Sequence, residues 1–117
     1  MGKYISIFLL FFFTSVSVFA QHPIEGKWDT QRHGTILSIK KNKNIYEGFV
    51  KSTGSEKIEE GKQMIRNIQP TKNGFEGEIY SVKQDKWLTA EFYPEKEAME
   101  VKISVGILSK TLEWERK

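Results

Sequence analysis

Met99-Glu100-Val101-Lys102-Ile103-Ser104-Val105 alternates apolar and polar residues with a strict period of two. Successive side chains of a strand point to opposite faces, so Met99, Val101, Ile103 and Val105 share one buried face while Glu100, Lys102 and Ser104 face water. One wet face and one dry face suit an antiparallel sheet. Gly106 then marks a tight turn or bulge, and Leu108, Leu112, Trp114 and Arg116 share one parity on a last strand.

Working back toward the N-terminus, the same texture recurs. Trp87 to Tyr93 is rich in aromatics and threonine and ends at Pro94. Phe75 to Tyr80 alternates Phe75, Gly77 and Ile79 against Glu76, Glu78 and Tyr80, after a turn whose Asn73-Gly74 step suits positive φ. Met64 to Gln69 reads as a weaker strand. Ile45 to Lys51 places Tyr46, Gly48 and Val50 inward, and Thr35 to Lys40 places Leu37 and Ile39 inward. Gly26 to Thr30 is the first strand, with Trp28 inward. Only Ser55 to Lys62 has room for a turn of helix, and Gly54 and Gly61 bracket it. About eight short strands joined by hairpin-length loops predict an all-β, small antiparallel up-and-down barrel, because closure removes the exposed edges of so small a sheet.

The chain opens differently. Lys3 precedes a nearly continuous apolar run from Ile5 to Phe13, and smaller residues lead to Val18 and Ala20. This is the pattern of a cleavable signal peptide over residues 1–20, cut after Ala20. The run is short for a membrane span, which needs ~20 apolar residues, so no stable membrane insertion is expected after cleavage. The expected location is periplasmic or secreted. Cleavage would leave a single 97-residue domain, residues 21–117. Lys3 is the leader's one basic residue, so 17 of the 18 Lys and Arg remain against 15 acidic residues. An even excess of two is solubilising and is no nucleic-acid footprint. Cysteine is absent, so stability rests on burial and strand pairing.

Gly26-Lys27-Trp28 near the start and Trp114-Glu115-Arg116 near the end resemble the calycin pattern, in which an early Gly-x-Trp packs under a basic residue of the final strand. A guanidinium can lie over the indole face and donate to nearby carbonyls. With Tyr46-Glu47-Gly48, Phe75-Glu76-Gly77-Glu78-Ile79-Tyr80 and Ile107 to Arg116, these landmarks are similar in order to the bacterial exported domain-of-unknown-function family 2147. The likeness spans nearly the whole chain after the leader. It departs where that family often has Trp in place of Phe75, and where its Gly-Lys-x-Tyr segment appears only as Asp85-Lys86-Trp87-Leu88. The resemblance implies a lipocalin-like barrel, with Gly26, Trp28, Trp114 and Arg116 as its structural closure, and implies no established activity.

Catalysis finds little footing. A triad needs a Ser and an acid converging on a base, and His22 and His33 fall in a lead-in and a turn. His33 with Asp29 is short of the three or four ligands a metal needs, so neither metal nor cofactor is expected. Glu59-Glu60 and Glu76 with Glu78 could be imagined as a glycosidase couple, but they lie on outward parity beside glycines, as solvated residues do. The stronger expectation is a non-catalytic barrel that binds a small apolar or amphipathic ligand. Its lumen candidates are Leu37, Ile39, Tyr46, Phe75, Phe92, Val101, Ile103 and Lys110. Gly48, Gly77 and Ala90 on the same parity leave space, either for a ligand or for large neighbours. Lys110 shares parity with Leu108 and Leu112, so it either meets a carboxylate or phosphate head at the open end or is returned to solvent by a bulge after Gly106. The glycine favours the bulge. The alternative function is a protein-interaction module with a filled barrel, its contacts made by loops or by an outward aromatic patch around Trp87 and Tyr93.

Overall fold

The computed structural model describes residues 22–117. The expected signal peptide and its cleavage point lie outside those residues. Eight strands form a closed barrel in chain order, each paired antiparallel with its neighbours. They are β1 (Gly26–Asp29), β2 (Ile36–Asn42), β3 (Ile45–Ser52), β4 (Gln63–Pro70), β5 (Phe75–Ser81), β6 (Lys86–Pro94), β7 (Ala98–Val105) and β8 (Leu108–Arg116). The up-and-down barrel expected from the alternation is therefore the fold. No helix occurs among the described residues, and Ser55 to Lys62 runs as turns.

The seam is where so small a barrel is weakest. β1 has four residues and meets β8 through Trp28 opposite Arg116 and Asp29 opposite Glu115. Arg116 supplies what the short ladder lacks. Its guanidinium carbon lies 4.1 Å from the centre of the Trp28 ring. Its nitrogens donate to the carbonyls of Pro23 (2.9 Å), Lys96 (3.0 Å), Glu25 (3.2 Å) and Glu95 (3.3 Å). One side chain thus ties the lead-in to β1 and the β6–β7 turn to the end of β8. The Trp28 indole nitrogen donates to the Ile24 carbonyl at 2.9 Å, fixing the ring beneath the guanidinium. Gly26 completes the arrangement, since its φ of 130° is reserved for glycine and a Cβ there would stand 3.2 Å from an Arg116 nitrogen.

Two bulges shape β4. Tyr46 and Gly48 on β3 pair with Ile68 and Ile65, so β4 carries an extra residue, and β5 repeats the offset between Arg66 and Gln69. Asn67, at φ 55°, is the residue that absorbs it, as Asn tolerates the left-handed region. A second offset pairs Gly48 with Ile65 but Phe49 with Gln63, leaving Met64 as the extra residue. These bulges break the period of two and turn Met64, Ile65 and Ile68 all into the interior.

The lower half of the barrel, beside the Arg116 closure, is packed solid. Trp28, Trp114, Phe92, Ile39, Ile65, Ile68, Met99 and Val101 are fully buried there. Gly48 and Gly77 leave no room for a ligand. A Cβ at Gly48 would meet Ile65 at 3.0 Å, and one at Gly77 would meet Ile68 at 2.9 Å. The Asn73-Gly74 turn is also built differently from the expectation, because neither residue takes a positive φ. Gly74 is required by close approach, as a Cβ would lie 2.6 Å from the Phe92 carbonyl oxygen.

Removing the Arg116 side chain should open the seam. Arg116→Ala is expected to cost about 2–3 kcal/mol from the lost charged hydrogen bonds and ring contact. For a domain of this size that is a fall of roughly 10 °C or more in melting temperature, measurable by thermal circular dichroism. Arg116→Lys should recover only part, because an ammonium lacks the planar fork that reaches several carbonyls.

Candidate functional site

The upper half of the barrel is hollow. A cavity of about 810 Å³ opens at the end opposite Arg116. Its apolar wall includes Leu37, Met64, Ile79, Leu88, Ile103 and Leu112, and Trp114 forms part of the floor. Three connections frame the mouth: Thr30 to Thr35 between β1 and β2, Ser55 to Ile58 between β3 and β4, and Val82 to Gln84 between β5 and β6. The first two are held to each other. Thr35 and Thr53 share a hydroxyl–hydroxyl hydrogen bond of 2.8 Å, and the Gly54 N–H donates to the His33 carbonyl at 2.8 Å. Ile58 folds inward against the core from the long β3–β4 connection.

The eight lumen candidates separate into two groups. Leu37, Ile103 and Lys110 line the cavity. Ile39, Phe92 and Val101 are buried in the packed lower half, away from the lining. Tyr46 and Phe75 lie toward the closed end, edge to face with centroids 5.7 Å apart. There they border a separate hollow of about 230 Å³ beside His22, Pro23 and Ile24. The physical reason for the division is volume: the Trp28, Trp114 and Phe92 rings occupy the lower cross-section, whereas the upper strands present mainly aliphatic side chains.

Lys110 corrects an expectation. The β7–β8 ladder runs without a shift from Ala98 opposite Glu115 to Val105 opposite Leu108. Gly106, at φ 65°, occupies the first position of the tight Gly106–Ile107 turn and introduces no bulge. Lys110 therefore sits opposite the cavity residue Ile103, on the inner parity. It lines the mouth and is also exposed, as a residue at an opening is.

The charges of the lining are one-sided. Arg32, Lys57, Lys83 and Lys110 belong to it, with His33, and no Asp or Glu does. None of these four cationic side chains has a carboxylate partner among the described residues, where the ion pair present is Arg66 with Glu78. The floor carries an unmet donor as well: the Trp114 Nε1–H is buried without an acceptor. Sequence reasoning missed Met64, Thr35, Ile58 and the loop cations. The bulge at Met64 and the inward fold of Ile58 leave no periodic trace, and an even excess of positive charge does not show which lysines gather at one mouth.

The outer aromatics are covered by cations. Arg66 lies 4.0 Å from the Trp87 ring centre and bonds Glu78 through its Nε at 2.8 Å. Tyr80 stands edge-on to Trp87, with Lys62 at 4.4 Å over its own ring. Lys102 lies 5.8 Å from the Tyr93 ring, and both Trp87 and Tyr93 are half-buried. Of the imagined acid couples, Glu76 and Glu78 stand on one face of β5, opposite Glu91 and Thr89 of β6. Glu78 is engaged by Arg66 and Asn67, and no group of three His, Asp or Glu side chains could hold a metal ion among the described residues. Compared with protein-family models, curated proteins and solved structures, the chain matches none.

The Arg66–Glu78 pair gives the outer surface a pH dependence. The Arg66 hydrogen bond, aided by Asn67 and by the guanidinium charge, holds the Glu78 carboxyl below its ordinary value of 4.5, against a smaller opposing effect of burial. A depressed folded value stabilises the fold above the ordinary value, and that stabilisation disappears as pH falls through the folded one. Both side chains are more than a third exposed, within rounding (39% and 34%), so the effect is only about 0.2–1 kcal/mol. Denaturant unfolding should show Glu78→Gln less stable than the parent by that amount at pH 7. The difference should shrink toward zero in acid and at high salt.

Proposed function

We propose that the protein is an exported, non-catalytic barrel that carries one small apolar or amphipathic molecule in the open half of its lumen. The observation that carries this reading is the coexistence of a solid lower half with an 810 Å³ apolar-walled cavity open to solvent. A barrel of ~8 strands can fill itself or hold one small ligand, and a hollow of several hundred Å³ is the size of known small-molecule sites. The alternative of an interaction module has less support, because it asked for a filled interior and a bare Trp87/Tyr93 patch. Export is part of the proposal on the strength of the leader. So is kinship with the domain-of-unknown-function family 2147, on the order of its landmarks and the placing of Arg116 over Trp28.

Native mass spectrometry of the protein purified from its own host tests the proposal. The expected spectrum contains the barrel with one bound small molecule. Ile103→Trp, which puts an indole into the hollow, should give a folded barrel without it. A bare parent protein in every preparation would sink the carrier reading.

A further inference from the structure

Every fully charged side chain in the lining of this cavity is a cation. Arg32 comes from the β1–β2 connection, Lys57 from β3–β4, Lys83 from β5–β6 and Lys110 from β8. Four separate parts of the chain thus bring positive charge to one opening, and no carboxylate of the lining offsets it. Such an arrangement does nothing for folding, since like charges around one rim repel and none has an ion-pair partner among the described residues. It contrasts with the outer surface, where Arg66 meets Glu78 and lies over Trp87. Beneath the cations the inner face turns apolar at once: Ile103 is directly opposite Lys110, and the next inward-facing pair of the ladder is Leu112 with Val101.

We propose that the ligand is a single-chain amphiphile with an anionic head, the chain lying against Ile103, Leu112, Leu88 and Met64 and the head held among Lys110, Lys57, Lys83 and Arg32. This rests on the ligand-binding reading of the cavity and narrows it. Lys110 and the floor residue Trp114 are four positions apart on β8. At the usual strand rise that is about 13 Å, the length of a medium acyl chain. Each methylene buried along the wall contributes about 0.8 kcal/mol, so the chain provides affinity. The rim cations select the charge of the head, because an ammonium or guanidinium at a half-dry mouth favours an anion and repels a cation.

The test compares three probes of equal chain length: decanoate, decanol and decyltrimethylammonium. Binding to the purified protein, stripped of lipid on an apolar resin, is followed by calorimetry and by tryptophan fluorescence. Decanoate should bind at least tenfold tighter than decanol at low ionic strength, with the advantage shrinking as salt is added, and decyltrimethylammonium should bind weakest. The double variant Lys57→Gln, Lys110→Gln should lower decanoate affinity toward that of decanol while leaving decanol binding unchanged. Equal binding of decanoate and decanol, or preference for the cation, would overturn the anionic head but leave the apolar pocket standing. A decanoate preference that survives in the double variant would overturn the placement of the head. Failure of all three probes to bind would overturn the pocket reading itself.

Discussion

Arg116 over Trp28 is the contact on which the barrel depends. Seven of the eight seams join strands that follow one another in the chain, so a local connection holds each pair together. The seam between β1 and β8 has no such help and only a short ladder. Closing it brings together the two ends of the described chain, at a loop entropy the other hairpins do not bear. The guanidinium meets that cost with a ring beneath it and four carbonyls around it. Those carbonyls belong to the lead-in and the β6–β7 turn, segments that would otherwise leave polar groups unmatched at the barrel's end. Closure, capping of the base and burial of Trp28 are therefore one event.

That event also decides which end can be open. The Trp28, Trp114 and Phe92 rings fill the lower cross-section once Arg116 seats the first of them, with Phe92 and Trp114 centroids 6.3 Å apart. Above Trp114 the inward positions are mainly aliphatic until Lys110 at the mouth, and three of the four upper connections are long enough to bend over the rim without plugging it. The bulges of β4 contribute by turning Met64 into the wall. The cavity is thus a consequence of where the aromatic residues sit along their strands.

Much of this was legible in the residues. The alternation of Met99 to Val105 gave the strand, its inner face and its partner's parity, because a strand with one wet face must obey a period of two. Gly26, Trp28 and Arg116 were legible because a special φ, a large ring and a planar cation have few other uses in combination. What failed were the places where periodicity is broken or space is shared. Met64, Ile65 and Ile68 are all buried, which no strict alternation permits, and Asn67 was the only local hint of the bulge. Gly48 and Gly77 left space for either a ligand or large neighbours, and which of the two fills it depends on the strand across from it, here Ile65 and Ile68. Gly106 left a tight turn and a bulge both open, two outcomes that both want glycine and differ only in register, and the bulge favoured for Lys110 is the one that is absent. That single register decides whether Lys110 faces the lumen.

The charge of the protein makes the same point at larger scale. An excess of two positive charges describes no site, and composition alone could not separate solubilising lysines from functional ones. Placement separates them. A solubilising cation gains by standing near an acid or lying along an aromatic face, as Arg66 does between Glu78 and Trp87. Arg32, Lys57, Lys83 and Lys110 have instead been gathered from distant segments around an apolar opening without a compensating acid in its lining. Folding gains nothing from that gathering, and the lower half of the barrel would close equally well without it. A gathering of cations that folding does not call for is the observation on which the proposal of an anionic ligand head rests, and on that proposal the cationic rim, more than the hollow itself, would set the charge of what the barrel holds.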